Sequence, residues 1–346
     1  MYKKNSKINK KAYHRLNKRV RQLRKLKDCL SPDENCSKEF GRAHTVSKAS
    51  SLIHIAEKQH VITLSANPFA KSKKKVLHCK RTSINETSTF YGFCKYHDEI
   101  LFRCIDKDDL VPTPEQLFMQ AYRIHCRELT GKCIQRLSYP TIDELAEIYG
   151  NDRRTITYSP GERAIMDSTF QGVIDCNETK NNLDKVLKSG DFRKLSTCLL
   201  RFKARPVLAC ASGLHPDYLS NGEPLQDFTN FDRRLENLFF SVLPQKSGGI
   251  VAFTFMAKES SSPLRMIQDL LQQVPLTPAI LWHAVARCEN LAFRPSWWDG
   301  LNKKTKGLLY EAMTYNTQLC DKEIATLYRT PHLVVGDWGF EEPIWI

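Results

Sequence analysis

Four candidate metal ligands, which occur as two widely separated pairs, constrain the fold of this chain more than any other feature. Cys29 and Cys36 flank a short segment that contains Pro32, and Cys94 and His97 form a Cys-x-x-His motif much later in the chain. Two such pairs supply the four soft or borderline ligands that a closed tetrahedral zinc site requires. One bound ion would join two distant segments into a compact unit. We therefore predict a structural Zn²⁺ site formed by Cys29, Cys36, Cys94 and His97.

The spacing within each pair decides how these ligands could meet. In a Cys-x-x-His motif, the first turn of a helix brings residues three apart onto one side, and the positive end of the helix favours the thiolate. The six residues between Cys29 and Cys36 exceed the usual spacing of roughly two to four. We therefore expect an expanded knuckle in which Pro32 and Asp33 make the extra turn. Two alternatives stay open: buried free cysteines around a small core, and zinc bound by other nearby ligands, namely His44, His78 and Cys79.

Positive charge is concentrated at the N-terminus. Residues 1–27 contain eight Lys and four Arg without any Asp or Glu, so they carry +12 of the formal net charge of +14. A nearly neutral body with a cationic arm indicates a polyanionic partner. The two candidates are nucleic acid, bound through counterion release, and anionic lipid headgroups.

The arm also has the pattern of a one-sided helix over residues 10–27. Tyr13, Leu16, Val20 and Leu23 recur with helical spacing and form one apolar stripe, while the other faces are cationic. Such a helix can pack through its stripe and present its cations to phosphates; the alternative is a docked helix whose charges are only solvated. A second cationic group follows in a predicted loop. The residues predicted to bind nucleic acid are Lys18, Arg19, Arg21, Arg24, Lys25, Lys73, Lys74 and Lys75.

Cysteine usage and hydropathy indicate the compartment. The twelve cysteines are scattered over 346 residues, unlike the dense cysteines of a small secreted domain, and the N-terminus lacks the apolar region of a signal peptide. The longest apolar run, residues 249–257, is too short to span a bilayer. We expect a cytoplasmic protein with reduced thiols and no membrane partner. A mitochondrial transit peptide is the alternative, although the arm is richer in Lys than in Arg.

Between the two ligand pairs, the sequence predicts a particular order of elements. A knuckle, a strand, a helix, a hairpin, a further strand and a ligand-bearing helix follow one another, which is the order of a treble-clef zinc module. The predicted ranges are a strand at 43–46, a helix at 47–58, a hairpin of 60–64 and 76–80, a strand at 89–93 and a helix from residue 94.

The rest of the chain predicts an α+β fold, because strand patterns are grouped together and helices follow them. Strands are predicted at 197–202, 206–211, 238–243 and 250–256, and helices at 114–129, 141–149, 167–187 with an interruption, 262–273, 277–288 and 304–315. An acidic, proline-containing link near residue 110 suggests a domain boundary. The predicted division is a basic helical arm (1–27), a zinc-binding treble-clef module (28–110), a helical connector (111–190) and an α+β C-terminal domain (191–346).

The zinc motif resembles those of known proteins. The string Cys-x6-Cys-x5-Arg-Ala-His-Thr-Val-Ser-Lys, followed by Phe-Cys-x-x-His-Asp-x-x-x-Phe, is similar to the HNH (ββα-metal) nucleases. It resembles more closely a bacterial family of undescribed function with an HNH-like treble clef and a C-terminal Trp-Trp segment, here Trp297 and Trp298. The resemblance implies a nucleic-acid partner, DNA more than RNA, and a setting in phage defence or a mobile element.

The same resemblance implies a catalytic role for two residues. By position His44 matches the general base that activates water, and Asp98 matches the helix ligand of a catalytic Mg²⁺ or Mn²⁺. Ala43 stands where a metal ligand normally precedes the base, so another carboxylate would have to replace it. The candidates are Asp33, Glu34, Glu39 and Glu86. The alternative interpretation is a buried hydrogen-bonded histidine at position 44 and a helix-capping carboxylate at position 98.

Two hypotheses follow. The first is a zinc-stabilised DNA-binding protein with an HNH-like, metal-dependent endonuclease site that has lost part of its ligand set. The second is a non-catalytic nucleic-acid-binding adaptor, or a regulatory subunit that acts with other protein subunits. A further group, Cys210, Ser212, His215 and Asp217, follows a buried-looking strand and allows a Cys-His nucleophilic site; we favour an ordinary loop there, and a structural role for Glu289 and for the two tryptophans.

Overall fold

The computed structural model describes residues 9–25, 27–66, 77–230, 233–259, 261–315 and 335–346. Of the residues predicted to bind nucleic acid, Lys73, Lys74 and Lys75 lie outside these ranges. The described chain combines helices with antiparallel sheets, which confirms the predicted α+β class. None of the helices within these ranges has both the length and the apolar character that crossing a bilayer requires.

The helices agree closely with the helical patterns of the sequence. Each described helix longer than ten residues coincides with a predicted one, and most ends differ by only a few residues. Their bounds are α1 Lys10–Leu23, α2 Ile53–Ile55, α3 Lys95–Asp106, α4 Pro114–Ser138, α5 Ile142–Tyr149, α6 Pro160–Ser189, α7 Ser261–Leu271, α8 Leu276–Arg287, α9 Pro295–Gly300 and α10 Lys303–Tyr315.

The strands form two antiparallel sheets in the described part of the chain. β1 pairs with β4, and the other eight form one sheet in the order β10-β5-β8-β7-β6-β9-β2-β3. The bounds are β1 Ala43–His44, β2 His60–Ala66, β3 Leu77–Ser83, β4 Thr89–Phe90, β5 Leu195–Phe202, β6 Leu208–Leu214, β7 Leu238–Pro244, β8 Gly249–Met256, β9 Leu291–Phe293 and β10 Ile344–Trp345.

Both faces of the large sheet are covered. Phe240 and Phe253 belong to a core that includes α7, α8 and α10, whereas Phe239 and Ala252 belong to a second core that includes α3 and α4. Alternate residues of one strand therefore serve opposite cores. This arrangement explains why β7 and β8 are apolar at nearly every position, since neither face of these strands meets water.

The hairpin of the predicted zinc module belongs to the same sheet as the C-terminal strands. β9 lies between β6 and β2, so Phe293 pairs with Leu208 on one side and with Ile62 on the other. Backbone pairing thus crosses the predicted boundaries at residues 110 and 190. The sequence could not show this, because hydrophobic periodicity carries no information about which distant strands pair.

The basic helix α1 docks through its apolar stripe, as predicted. Its four stripe residues are all half-buried, and the helix packs on α4 and α5. Asn9 caps the helix by accepting hydrogen bonds from the N–H groups of Lys11 and Ala12. The N–H of Asn9 donates to the carbonyl of Ile148 at 2.8 Å, which ties the start of α1 to α5.

Two local predictions were wrong. The predicted helix at 47–58 is a π-helical turn, Lys48–Leu52, followed by the single turn α2; Leu52 N–H reaches back five residues to the Ser47 carbonyl. The predicted interruption of the helix at 167–187 does not occur, and α6 runs for 30 residues. A Ser159–Glu162 capping box begins α6, and contacts with α4 hold its glycine-containing turns in helical conformation.

Candidate metal centre

The four predicted ligands lie together. The sulfur atoms of Cys29, Cys36 and Cys94 are 3.3, 3.6 and 3.3 Å from Nδ1 of His97, and all four atoms lie within 4.8 Å of one another. Zn–S bonds of about 2.3 Å and a Zn–N bond of about 2.0–2.1 Å at tetrahedral angles place sulfur about 3.6 Å from nitrogen. The four atoms therefore have the spacing and the chemistry of a closed Cys₃His zinc site.

Short polar side chains build the expanded knuckle between Cys29 and Cys36. The Ser31 hydroxyl accepts from the N–H of Asp33 at 3.2 Å, and Asp33 Oδ1 accepts from the N–H of Asn35 at 3.0 Å. A further turn bond runs from the N–H of Cys36 to the Glu34 carbonyl. These two side-chain-capped turns account for the long spacing of the pair and place both sulfur atoms on the same side.

The second pair sits at the start of α3. Cys94 is the N-cap residue, and its sulfur accepts a hydrogen bond from the N–H of His97 at 3.5 Å. The N–H of Cys94 in turn donates to the Cys29 sulfur at 3.4 Å. Backbone bonds from Leu30 to Gly92 and from Lys95 to Glu39 fasten the knuckle to the helix start. The sulfur atoms thus receive N–H donors, which stabilise thiolates.

The thiols differ in how readily they lose a proton. Burial raises the pKa of Cys94, but the N–H of His97 and the hydroxyl and N–H of Ser37 outweigh it, so the pKa falls to about 6. Hydrogen bonding to Cys29, together with the neighbouring sulfur charges, raises the pKa of Cys36 to about 12. A metal ion binds the thiolates, so it would displace the protons that the thiols carry and share in hydrogen bonds, and binding would release protons.

Asp33 has a second role at the other nitrogen of His97. Its Oδ2 lies 3.6 Å from Nε2, and the His97 side chain is fully buried. The pKa of Asp33 is lowered by the backbone hydrogen bond from Asn35 and by His97. A carboxylate in this place orients a metal-bound imidazole and increases its basicity. Asp33 was predicted to form the turn and was a candidate to replace the ligand missing at Ala43, but its contact with His97 was not predicted, because nothing in the spacing shows which way the carboxylate points.

An aromatic cluster packs next to the metal centre. Phe93 precedes the first helix-side ligand and packs edge-on against Phe102, with 5.0 Å between ring centroids. Tyr122 of α4 lies against both rings, and its hydroxyl lies 2.8 Å from Asp184 Oδ1 and 3.3 Å from the Leu30 carbonyl. The spacing of Phe93 and Phe102 in the motif therefore serves packing, because it lets both rings contact each other and Tyr122 next to the ligands.

The two predicted catalytic residues lie beside an ion pair whose arginine is buried. Arg123 of α4 is fully buried and contacts both carboxylate oxygens of Asp106 at 2.8–3.0 Å. The charges of this pair act on both His44 and Asp98. Arg123 was not predicted, because its position within a long helix gives no sign of its burial.

His44 and Asp98 themselves are half-buried. Nε2 of His44 lies 3.0 Å from the Ile84 carbonyl, so this nitrogen carries the proton and Nδ1 does not, and burial lowers the pKa of the imidazole. Burial raises the pKa of Asp98 to about 6, against the opposing charge of Arg123. Oδ1 of Asp98 is buried and accepts no hydrogen bond from the described residues.

The competing ligands stand apart from the site. Among the described residues, the Cys₃His group is the one cluster of three or more His, Cys, Asp or Glu side chains with metal-binding spacing. His44, His78 and Cys79 are not part of it. Of the carboxylates considered as replacements for Ala43, Glu39 pairs with Lys95 at 2.6 Å and Glu86 lies 4.0 Å from Arg42. Every cysteine in the described ranges is a free thiol.

The cations predicted on α1 fall into two groups. The guanidinium of Arg19 is half-buried and donates to Glu144 and to the carbonyls of Leu137 and Tyr139. The remaining predicted cations of α1 and of the two residues that follow it are exposed to solvent. They are Lys18, Arg21, Arg24 and Lys25.

A further cationic group adjoins the metal centre, and of its members only Lys25 was among the residues predicted to bind nucleic acid. Arg42 Nε lies 3.4 Å from the hydroxyl of Tyr91. This hydrogen bond lowers the pKa of Tyr91, and the charges of Lys27 and Lys25 add to the effect. Because Tyr91 precedes the Phe-Cys-x-x-His segment, the end of the basic arm lies close to the ligands. We call Lys25, Lys27, Arg42 and Tyr91 the cationic rim.

The Trp-Trp segment lies away from these groups. Both rings pack on Phe293 of β9, with centroid distances of 5.6 Å for Trp297 and 5.1 Å for Trp298. Trp298 is buried in the core and also contacts Tyr310 edge-on. This placement agrees with the structural interpretation of the pair and leaves only the edge of Trp297 toward solvent.

The comparison with known proteins adds no relative. No protein-family model, curated protein or solved structure matches the chain. What the site binds is therefore inferred from its own donors, three thiols and one imidazole at zinc spacing, and from the cations that act on Tyr91 beside them.

Proposed function

We propose that this chain is a zinc-stabilised nucleic-acid-binding protein. The observation that carries the proposal is the Cys₃His cluster with the cationic rim beside it. Four protein ligands complete a tetrahedral shell and leave no position open for a substrate, so the ion would stabilise the fold rather than act on a substrate. Binding would then depend on the side chains that the folded module presents.

The charges support a phosphate-binding surface. Arg42 contacts the Tyr91 hydroxyl and the charges of Lys25 and Lys27 act on it, while Lys18, Arg21 and Arg24 are solvent-exposed along and just after α1. Arginine and lysine contacts to phosphates release counterions, which makes binding strong at low salt and weak at high salt. We assign DNA rather than RNA as the preferred partner, on the resemblance of the zinc motif to HNH proteins.

Salt-dependent binding tests this proposal. Duplex DNA and duplex RNA of equal length would be titrated with the protein by fluorescence anisotropy at several salt concentrations. The triple variant Arg21→Met, Arg24→Met and Lys25→Met should reduce the slope of log K against log salt by up to about 3. The matched control is Lys185→Met, an exposed lysine of α6. Equal slopes for the triple variant and the wild type would reject the surface.

One observation favours an endonuclease as a second candidate. His44 is the last residue of β1, which pairs with β4, and β4 is followed by the ligand-bearing helix α3. This ββα order is that of the HNH nucleases. The charges of Arg123 and Asp106 act on both His44 and Asp98 of α3. Nδ1 of His44 is the nitrogen that could take a proton from water, since Nε2 donates to the Ile84 carbonyl.

Plasmid nicking distinguishes the two candidates. Wild type, His44→Ala and the control His78→Ala, which changes an exposed histidine of β3, would be incubated with supercoiled plasmid and Mg²⁺ or Mn²⁺. Cleavage by wild type and by the control, but not by His44→Ala, would establish the endonuclease. Binding without cleavage by all three would establish the non-catalytic adaptor.

A further inference from the structure

A cavity in the described part of the chain lies away from the metal centre. It has a volume of about 510 Å³ and lies between α4, α6, the end of β6 and the segment that leads into β7. Pockets that bind small molecules have volumes of roughly 300–1,000 Å³. The lining of this cavity includes Ser212 of β6 and His215 of the following loop, two of the four residues considered above as a Cys-His nucleophilic site.

Polar side chains from three elements converge on this cavity. Those of α4 follow one another at helical spacing on one face, so they line the same wall. Those of β6 and the following loop line the opposite wall. The polar lining residues that matter here are His125, Glu128, Lys132, Cys176, Ser212 and His215. Cys210, which the sequence analysis considered as a nucleophile, does not line the cavity and is fully buried.

Glu128 is an acidic group held at the cavity wall. A Cβ at Gly213 would lie 3.2 Å from Cγ of Glu128, so the glycine permits this close approach of the side chain to β6. Burial raises the pKa of Glu128; Arg127, at 2.9 Å, opposes this shift and the charge of Glu289 adds to it. Asp175, Asp227 and Glu289 line the same cavity, and with Glu128 they would accept hydrogen bonds from hydroxyl or amino groups of a ligand.

Lys132 supplies a cation to the same cavity. Its Nζ would lie 3.8 Å from a Cβ placed at Gly172 of α6, which lines the cavity, and its charge acts on Glu128, Cys176 and His215. Within the described ranges no carboxylate lies at ion-pair distance from it. A half-buried ammonium group without a fixed counterion favours an anionic ligand group, and Arg233 at the cavity mouth adds a second positive charge.

Neutral rings form the rest of the wall. His125 Nε2 donates to the Cys176 carbonyl at 2.8 Å, and His215 Nδ1 donates to the Glu236 carbonyl at 3.1 Å. Burial lowers the pKa of both imidazoles, to about 4 for His125, so both are uncharged at neutral pH. Phe239 and Phe228 pack edge-on against them. Flat, uncharged side chains of this kind suit a planar heterocyclic ring.

We propose that this cavity binds a nucleotide. The proposal combines an anion site at Lys132, acceptors for hydroxyl or amino groups at Glu128 and Glu289, and a wall of neutral rings for a base. Each of these features alone suits many ligands, but a nucleoside phosphate presents an anion, a polyol and a planar ring within the available volume. The site is separate from the metal centre and does not depend on nucleic-acid binding.

Calorimetric titration tests the proposal on the full-length protein. The probes are ADP, GDP, CDP and UDP, and at least one should bind at a single site with a Kd below about 1 mM. Lys132→Met should weaken that binding roughly ten- to a hundredfold, because a charge-assisted contact is lost. Lys185→Met, the matched control on α6, should bind like wild type and so exclude a general charge effect.

Two further measurements define the ligand class. Glu128→Gln keeps the shape of the side chain and removes a carboxyl group that burial disfavours, so it should fold as well as wild type and bind the nucleotide more weakly. Ribose 5-phosphate and inorganic phosphate serve as partial ligands and should bind at least tenfold more weakly than the nucleotide. Absence of binding by all four nucleotides, equal binding by Lys132→Met, or equal binding of ribose 5-phosphate would each overturn the proposal.

Discussion

The two ring nitrogens of His97 face different groups. Nδ1 lies near the three sulfur atoms, and Nε2 lies near the carboxylate of Asp33. The ligand set itself could be predicted from the sequence, because a Cys-x-x-His motif at a helix start and a second thiol pair leave few other arrangements. The role of Asp33 and the burial of Arg123 could not be predicted. Both depend on the direction in which a side chain points within the folded module, and residue spacing does not determine that direction.

Loss of one sulfur ligand should remove the ion. We expect Cys94→Ser to reduce bound zinc from one equivalent to near zero and to lower the free energy of unfolding by at least about 3 kcal/mol, since metal binding contributes to folding. Metal analysis and urea unfolding measure both effects. Cys104→Ser, which changes a half-buried thiol of α3 outside the cluster, should retain one zinc. Full zinc content in Cys94→Ser would refute its assignment as a ligand.

The carboxylate behind His97 should tune affinity without being a ligand. Asp33→Asn keeps the turn-forming oxygen but removes the charge near Nε2, and we expect zinc affinity to fall roughly ten- to a hundredfold. Competition with a chromophoric chelator measures this change. Glu34→Gln removes an adjacent exposed charge and should leave affinity unchanged. If both variants lose affinity equally, only net charge matters and the proposed orientation of His97 is wrong.

At the level of elements, local patterns predicted most of the helices and strands. These patterns can be recognised within short segments of sequence. They are the apolar stripe of α1, the capping serine and threonine residues and the alternation in the hairpin. The π-helical turn at residues 48–52 was not predicted. Its backbone hydrogen bond spans five residues instead of four, and the spacing of apolar residues does not distinguish the two kinds of helix. The continuity of α6 was missed because packing on α4 outweighs the low helix propensity of its glycines.

Two arginines of α1 should affect different properties, one the stability of the fold and the other DNA binding. Arg19 makes bonds to Glu144 and to two carbonyls, so Arg19→Met should lower the free energy of unfolding by about 2 kcal/mol. Arg21→Met, on an exposed face, should change stability by less than about 0.5 kcal/mol and weaken DNA binding instead. Urea unfolding and anisotropy provide the two measurements. A large stability loss in Arg21→Met would mean that the exposed face also packs.

The buried histidine of α4 should make stability depend on pH. The folded pKa of His125 is about 4, below the ordinary value of 6.5, so the unfolded chain binds the proton first as pH falls. Stability is therefore fully present above pH 6.5 and is lost toward pH 4, by roughly 3 kcal/mol. His125→Gln, which can keep a donor to the Cys176 carbonyl, should show a smaller loss. Parallel pH profiles of the two proteins would contradict this origin.

At the scale of the whole molecule, one sheet joins the N-terminal hairpin to the C-terminal strands. Ile62 contributes to the core around α8, and Val61, its neighbour on β2, contributes to the core around α4. The hairpin therefore takes part in both cores. Sequence patterns divided the chain at residues 110 and 190, because composition changes there while long-range pairing leaves no local trace.

This connection predicts coupled unfolding. In urea, zinc release detected with a chelating dye and loss of sheet structure detected by circular dichroism should coincide in one transition. Ile62→Ala should shift both curves together, by roughly 2–5 kcal/mol, because it leaves a cavity between the hairpin and the C-terminal core. Zinc release at clearly lower urea than sheet unfolding would instead support an independent zinc module.

The account as a whole depends on one ion held by Cys29, Cys36, Cys94 and His97. X-ray absorption at the zinc edge of the purified full-length protein tests this most directly. We predict one zinc per chain with three sulfur neighbours at about 2.3 Å and one nitrogen neighbour at about 2.0–2.1 Å. A protein that lacks stoichiometric zinc, or a shell dominated by oxygen, would contradict the metal centre and with it the proposed fold of the nucleic-acid-binding surface.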